Sequence, residues 1–222
     1  MPQKILLAWS GGKDSAMSLY EVQKSRAYDV AALLTTITDG YDRISMHGVR
    51  RELLERQAES LGVNLHKIYI PIKSTNEQYQ AAMKATLEHY LAQGIRSVAF
   101  GDLFLEDIKK YREENLAKVG MKGIFPVWLR DTREFARTFL DLGFKAVTVC
   151  VDPKHLDPSF VGKEIDESFL DRLPPGVDPC GENGEFHTFV YDGPIFQQPI
   201  RFRAGEPVER DSFWFCDLLP EA

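Results

Sequence analysis

The sequence predicts an α/β fold, with a mostly parallel sheet covered by helices on both faces and a small C-terminal α+β domain. Three observations point there. Short apolar runs alternate with helical patterns through residues 1–151, strand then helix four times over, closed by a fifth strand. The second strand, 30–36, is continuously apolar, as parallel strands covered on both faces are. From Asp152 the alternation stops, prolines cluster (Pro153, Pro158, Pro174, Pro175, Pro179), and short aromatic runs follow. The expected domains are therefore 1–151 and 152–222.

Residues 4–9 (KILLAW) form the first strand, and 14–24 the first helix. Residues 30–36 (VAALLTT) read as the second strand. A polar loop leads to a helix over 49–61, which Gly62 closes from the C′ position. The third strand, 65–70, ends at Pro71. Ser74 and Glu77 have capping-box spacing and open a helix that reaches Gln93 and stops at Gly94. Residues 97–100 are the fourth strand, with Gly101 and Asp102 behind it. Helices over 106–119 and 132–142 precede the fifth strand, 146–151 (AVTVCV), and Gly143 ends the second of them. Beyond it come a helix over 164–173 and strands over 186–191, 200–204 and 213–218, expected to close over the mouth of the first domain.

Composition bounds the function. The 222 residues, 44% hydrophobic and 27% charged, are enough for a sizeable core. A formal charge of −6 argues against a broad nucleic-acid-binding face. No run of 18 apolar residues predicts a membrane span, and the amino end enters a strand without leader features. Cys150, Cys180 and Cys216 are odd in number and form no C-x-x-C pair, which favours a reducing cytoplasm over disulfides or structural zinc.

The sharpest chemical signal is Ser10-Gly11-Gly12-Lys13-Asp14-Ser15, directly behind the first strand. Two glycines let the backbone turn its N–H groups against an anion, and the following helix aims its positive end at the same place. Lys13 adds a charge, and Ser10 and Ser15 add hydroxyls. A Walker A loop would need a glycine five places before Gly12 and Ser or Thr after the lysine; neither is present. The dinucleotide fingerprint fails too, since Gly11 and Gly12 are adjacent and Ala16 follows. The hexapeptide resembles the PP-loop of the ATP pyrophosphatases, which split ATP into AMP and pyrophosphate, at every position. A corner whose glycines merely relieve crowding is the plainer alternative.

In an open parallel sheet the ligand lies beyond the carboxyl ends of the strands. That places Thr35, Thr36, Gly101 and Asp102 beside the loop as ATP-binding candidates. Thr35 and Thr36 read equally well as ordinary β-branched strand residues. Asp102 suits Mg²⁺ or a ribose hydroxyl, or caps the next helix; Asp14 likewise suits Mg²⁺ or capping. Arg112 offers a fork to a phosphate or a substrate carboxylate. His47-Gly48 either orders a loop over ATP or is a plain helix-entry turn.

The second signal is Asp178-Pro179-Cys180-Gly181-Glu182-Asn183-Gly184-Glu185-Phe186-His187-Thr188-Phe189. Together with the PP-loop, Gly101-Asp102 and Phe125-Pro126-Val127-Trp128, it resembles the diphthine–ammonia ligase family over nearly the whole chain. The resemblance implies a Rossmann-like nucleotide domain of the adenine nucleotide alpha hydrolase type and a smaller substrate-recognition domain. It implies a substrate carboxylate, small or protein-borne, that attacks the α-phosphate of ATP, after which ammonia displaces AMP. Lys13, Asp14, Glu182 and Glu185 would be catalytic, and Glu182, Asn183, Gly184, Glu185, His187, Thr188 and Arg112 would bind substrate. ATP and Mg²⁺ are the implied cofactors, and a homodimer stays open.

The sequence departs from the family's E-G-G-E-[FY]-E-T pattern at Asn183 and His187. With Ser45-Met46-His47-Gly48-Val49, this resembles a bacterial branch, for which an acceptor other than diphthine is expected. Two other readings compete. A PP-loop enzyme inserting sulfur into tRNA would need a persulfide cysteine, with Cys150 and Cys180 as the pair. A non-catalytic ATP-binding switch would hold ATP without releasing pyrophosphate.

Overall fold

The computed structural model describes residues 1–44 and 47–221. In chain order the elements are β1 (Gln3–Ala8), α1 (Lys13–Ser25), β2 (Tyr28–Thr38), β3 (Arg43–Ile44), α2 (Arg51–Leu61), β4 (Leu65–Ile70), α3 (Asn76–Ala92), β5 (Ser97–Ala99), α4 (Glu106–Ala117), β6 (Lys122–Ile124), α5 (Thr132–Asp141) and β7 (Lys145–Val151). A 3₁₀ turn (Pro158–Phe160), α6 (Glu167–Asp171), β8 (Phe186–Asp192), β9 (Phe202–Arg210) and β10 (Phe213–Pro220) follow.

The first sheet is Rossmann-like. β1 pairs in parallel with β2 on one side and β5 on the other, β4 lies outside β2, and β6 lies outside β5. The short β3 runs antiparallel to the end of β2. The chain thus builds outward from β1 through β2 to β4, then crosses back to start again at β5. Ligands collect beyond the carboxyl ends where the order reverses, here between β1 and β5. Side chains of β1 alternate between two cores, as successive strand residues must. Ile5 and Leu7 face the larger one with α1, α2 and the second sheet. Leu6 faces the other with Leu34, Val98, and Leu87, Tyr90 and Leu116 from α3 and α4.

The second sheet is antiparallel, in the order β8-β7-β10-β9. Here the structure corrects the sequence reading: the apolar run 146–151 does not close the parallel sheet but pairs antiparallel with β8 and β10. An apolar run reports burial on both faces and says nothing about which sheet provides it. The fifth parallel strand is β6, whose three residues, Lys122-Gly123-Ile124, are too short and too polar to stand out. The boundary expected after residue 151 falls inside this second sheet. Smaller shifts are local. The capping box forms one residue later than expected, with Thr75 and Gln78 exchanging hydrogen bonds (3.3 and 3.0 Å). Helix α6 is shorter than 164–173, because Asp166 caps it by accepting from the Phe169 N–H.

One ion cluster fastens β10 to the loop before α2. Asp217 is forked by Arg43 (2.8 and 3.1 Å) and by Arg50 (3.0 and 2.7 Å). Burial pushes the Asp217 carboxyl up, but hydrogen bonds and charge from both guanidinium groups outweigh this and hold it well below the usual carboxylate range. Stability from this source is complete above the unfolded pKa near 4 and is lost as pH falls toward the lower folded value. Asp217→Asn is expected to cost about 1–3 kcal/mol at pH 7. It should also flatten the acid decline below pH 4; urea unfolding at several pH values checks both.

Candidate active site

The PP-loop leaves β1 at Trp9 and is held by groups distant in sequence. Gln57, fully buried on α2, accepts from the Trp9 indole N–H (2.9 Å) and donates to the carbonyls of Gly11 (3.0 Å) and Val190 (2.6 Å). Gly11 adopts φ +78°, and a Cβ there would lie 2.8 Å from Gln57 Oε1. The Val190 N–H donates to the Gly11 carbonyl (2.8 Å), and the Lys13 N–H donates to Thr188 Oγ1 (3.1 Å). The second sheet is therefore part of the loop's scaffold. Inside the loop, the Gly12 N–H donates to Ser10 Oγ (3.2 Å) and Ser15 Oγ donates to the Gly12 carbonyl (2.9 Å). An incoming anion can take the place of Ser10 Oγ as acceptor for the Gly12 N–H, and the Ser15 hydroxyl is a donor that can turn to the same anion. No side chain caps α1 from Gly12.

Lys13 is only 2% exposed. Its ammonium lies 3.0 Å from Asp14 Oδ2 and donates to the Cys180 carbonyl, so the loop at 178–185 closes directly over it. That loop also reaches the end of β5, where Glu182 Oε1 accepts from the Leu103 N–H (2.7 Å). On the same strand end Gly101 packs against the PP-loop, and a Cβ there would stand 2.7 Å from the Asp14 carbonyl. Gly101→Ala must move backbone against backbone. It is expected to cost about 1–3 kcal/mol and to weaken ATP binding together with it, read by denaturant midpoints and titration.

Between these loops lies a cavity of about 360 Å³. Of the residues the sequence singled out, Ser10, Gly12, Lys13, Asp14, Ser15, Thr35, Thr36, Gly101, Asp102, Arg112, Glu182, Gly184, His187 and Thr188 line it. Gly11, Asn183 and Glu185 stand behind the wall. Glu185 is 2% exposed, and its Oε1 accepts from the Asp178 N–H and Asn183 Nδ2 (both 3.0 Å), which braces the loop. Thr35 is buried and its hydroxyl has no partner among the described residues. Asp102 is forked by Arg112 (2.7 and 2.9 Å), whose guanidinium also lies over the Phe100 ring at 4.5 Å. Gln57 was missed as the loop's anchor. The available signal was a glutamine on the apolar stripe Leu53, Leu54, Ala58, Leu61 of α2.

The site carries more negative charge than its one ammonium balances. Burial pulls Lys13 down, but Asp14, Cys180 and Glu182 outweigh it and hold the ammonium above its ordinary value. Burial raises Asp14 against the pull of Lys13, helped by Asp178. Glu182 is pushed up to about 7 by burial and by Asp14, despite the Leu103 N–H. On the opposite wall the rings of His47 and His187 stack at 4.4 Å. Burial and Lys13 lower His187 to about 4; burial, His187 and Lys13 lower His47, so both rings are neutral at pH 7. Burial raises the Cys150 thiol to about 12 and Cys180 as well, and Cys180 Sγ donates to the Thr132 carbonyl (3.3 Å). Neither thiol is set up as the thiolate that sulfur transfer needs.

The chain matches two family models, the diphthamide synthase N-terminal domain over residues 3–123 and the diphthamide synthase C-terminal domain over residues 131–218. It is similar to the diphthine–ammonia ligase of Schizosaccharomyces pombe, at 28% identity over 99% of this chain, but spans only 39% of that longer protein. It is similar to the diphthine–ammonia ligases of Bos taurus (25% identical, 94% of this chain and 86% of that protein) and Homo sapiens (25%, 90% and 82%).

Proposed function

This chain belongs to the diphthamide synthase family, and from that premise we propose that it is an ATP-dependent carbon–nitrogen ligase that adenylates a carboxylate and transfers it to ammonia. The observation that carries the reading is the buried Lys13 ammonium, held between the PP-loop and the 178–185 loop where the strand order reverses. ATP phosphates would replace the weak hydroxyl contacts of the loop amides, and Lys13 would turn from the Cys180 carbonyl toward them.

An acceptor carboxylate oxygen then attacks the α-phosphorus while the bond to the bridging oxygen of pyrophosphate breaks. The Gly11 and Gly12 amides would lie where the departing diphosphate gains charge, and Lys13, once turned onto it, would add a full positive charge, the kind of electrostatic aid that dominates phosphoryl chemistry. Ammonia next attacks the acyl carbon, the bond to AMP oxygen breaks, and nitrogen loses a proton. Nitrogen enters at neutral pH mainly as ammonium, and Glu182, with its pKa near 7, is matched to take that proton.

The donor set also fits Mg²⁺. Asp14 Oδ1 is buried without a partner among the described residues, which leaves a carboxylate oxygen free for the ion. No group of three or more acids, histidines or cysteines that could cage a metal occurs among the described residues. That suits an ion held by one or two carboxylates plus substrate phosphates, where it would neutralise phosphate charge. Asp14 is the better ligand, since Asp102 is already forked by Arg112. We place the enzyme in the cytoplasm and infer an acceptor other than diphthine, because Asn183 and His187 stand where the family pattern has Gly and Glu. No helix among the described residues is long and apolar enough to cross a membrane.

The test incubates the protein with ATP labelled in the α-phosphate, Mg²⁺ and a set of carboxylates, with and without ammonium. AMP release that requires both a carboxylate and ammonium is the expected result. ADP as the sole labelled product refutes the cleavage site, and ATP retained intact leaves only a switch.

A further inference from the structure

The helices α3 and α4, which cover one face of the first sheet, bury few of their own residues. α3 buries only Thr86, Leu87 and Tyr90, and α4 only Leu116. Between the two helices runs a groove of about 110 Å³ whose apolar lining is Tyr79, Met83, Leu87, Phe100, Leu116 and Val119. It is continuous with the nucleotide cavity, since Tyr79, Met83, Phe100 and Arg112 border both. We propose that this groove seats the apolar body of the acceptor carboxylic acid, whose carboxylate enters the nucleotide cavity past Arg112.

Three features select this occupant. The sheet order puts β2 and β4, with Thr35, Thr36 and Ile68 of the cavity wall, on one side of the PP-loop, and β5 with α4 on the other. A nucleoside reaching toward β2 leaves the α4 side free for the second substrate. Arg112 is the cation at the junction. Its Nε and Nη2 bind Asp102, which leaves the Nη1 edge for another acceptor. At about 110 Å³ the groove is smaller than an apolar cavity of about 150 Å³ that encloses benzene, so it seats a short hydrocarbon chain, or a ring with one edge left at its open mouth. Over its mouth, Tyr111 of α4 donates to Asn76 Oδ1 (3.0 Å) and accepts from Gln80 Nε2 (3.4 Å). The groove therefore has a polar rim over an apolar floor.

The inference rests on the nucleotide reading for its purpose, but the groove can be tested separately. Acetate, hexanoate and 3-phenylpropionate are titrated into the protein by calorimetry, with and without α,β-methylene-ATP. Each buried methylene multiplies affinity about fourfold, so hexanoate and 3-phenylpropionate are expected to bind at least about tenfold tighter than acetate. Gln80→Trp and Asn115→Trp each place a ring in the groove from a different helix, at positions that line the groove and not the nucleotide cavity. Each should remove that advantage and leave the affinity for the ATP analogue unchanged. Equal binding of all three acids, or an advantage that survives both folded variants, overturns the proposal. Loss of analogue affinity in the variants also overturns it, by assigning the groove to the adenine. Failure of the analogue to bind wild-type protein, with the acid preference intact, refutes the nucleotide reading alone.

Discussion

Lys13→Met is expected to lower AMP formation by at least about a thousandfold. A single oxyanion donor is worth about a hundred- to a thousandfold in mutants of other enzymes. Lys13 carries a full charge, is 2% exposed, and is the one ammonium bound to both Asp14 and the Cys180 carbonyl. Methionine fills similar volume but leaves the Asp14 and Glu182 carboxylates facing the phosphates uncompensated. ATP affinity should fall too, though less than turnover, because the diphosphate gains charge only as the bond breaks. Lys13→Arg is not expected to rescue, since a planar fork does not fit a buried slot shaped for a compact ammonium. Single-turnover rates at saturating ATP provide the measurement, and a loss under tenfold would remove Lys13 from the chemistry.

Glu182→Gln is expected to pull activity and stability apart. Its carboxyl is raised to about 7, so the folded protein holds a proton that the unfolded chain releases near pH 4.3. Wild-type stability therefore falls as pH rises from about 4.5 through 7, and above that range the cost is about 1–3 kcal/mol. Glutamine keeps the acceptor for the Leu103 N–H and removes the charge. The variant should be more stable than wild type at pH 8 and equal to it near pH 4.5. Its turnover with ammonium should fall about 10²-fold, and the inflection near pH 7 should disappear, leaving only the steady rise with pH that free ammonia itself supplies. Melting curves and rate–pH profiles over the same range test both halves. A variant that loses stability at pH 8 would show that Glu182 holds the loop through its charge.

Much of the nucleotide domain was legible because its signals are local. A buried parallel strand, a glycine pair and a helix start lie within the first twenty-five residues, and the candidates taken from the ends of β1, β2 and β5 line one cavity. What escaped was tertiary. β6 is three residues long and offers no period to detect. The run at β7 announces burial but not its partners, so it was placed in the wrong sheet. Glu182 and Glu185 looked alike because a loop has no periodicity to separate a wall residue from a brace. The structure turns one toward the Leu103 N–H and the other into its own loop. Likewise Thr188 proved to be a support for the Lys13 amide as well as a wall residue, a pairing across 175 positions that no spacing encodes.

The most direct test is a crystal structure with α,β-methylene-ATP and Mg²⁺. The expected density has the β- and γ-phosphates within hydrogen-bonding distance of the Gly11 and Gly12 amides, with Lys13 Nζ turned from the Cys180 carbonyl onto them and the α-phosphorus facing Glu182. A nucleotide bound elsewhere, with Lys13 still on Cys180 and the Lys13 amide still on Thr188, would contradict the account.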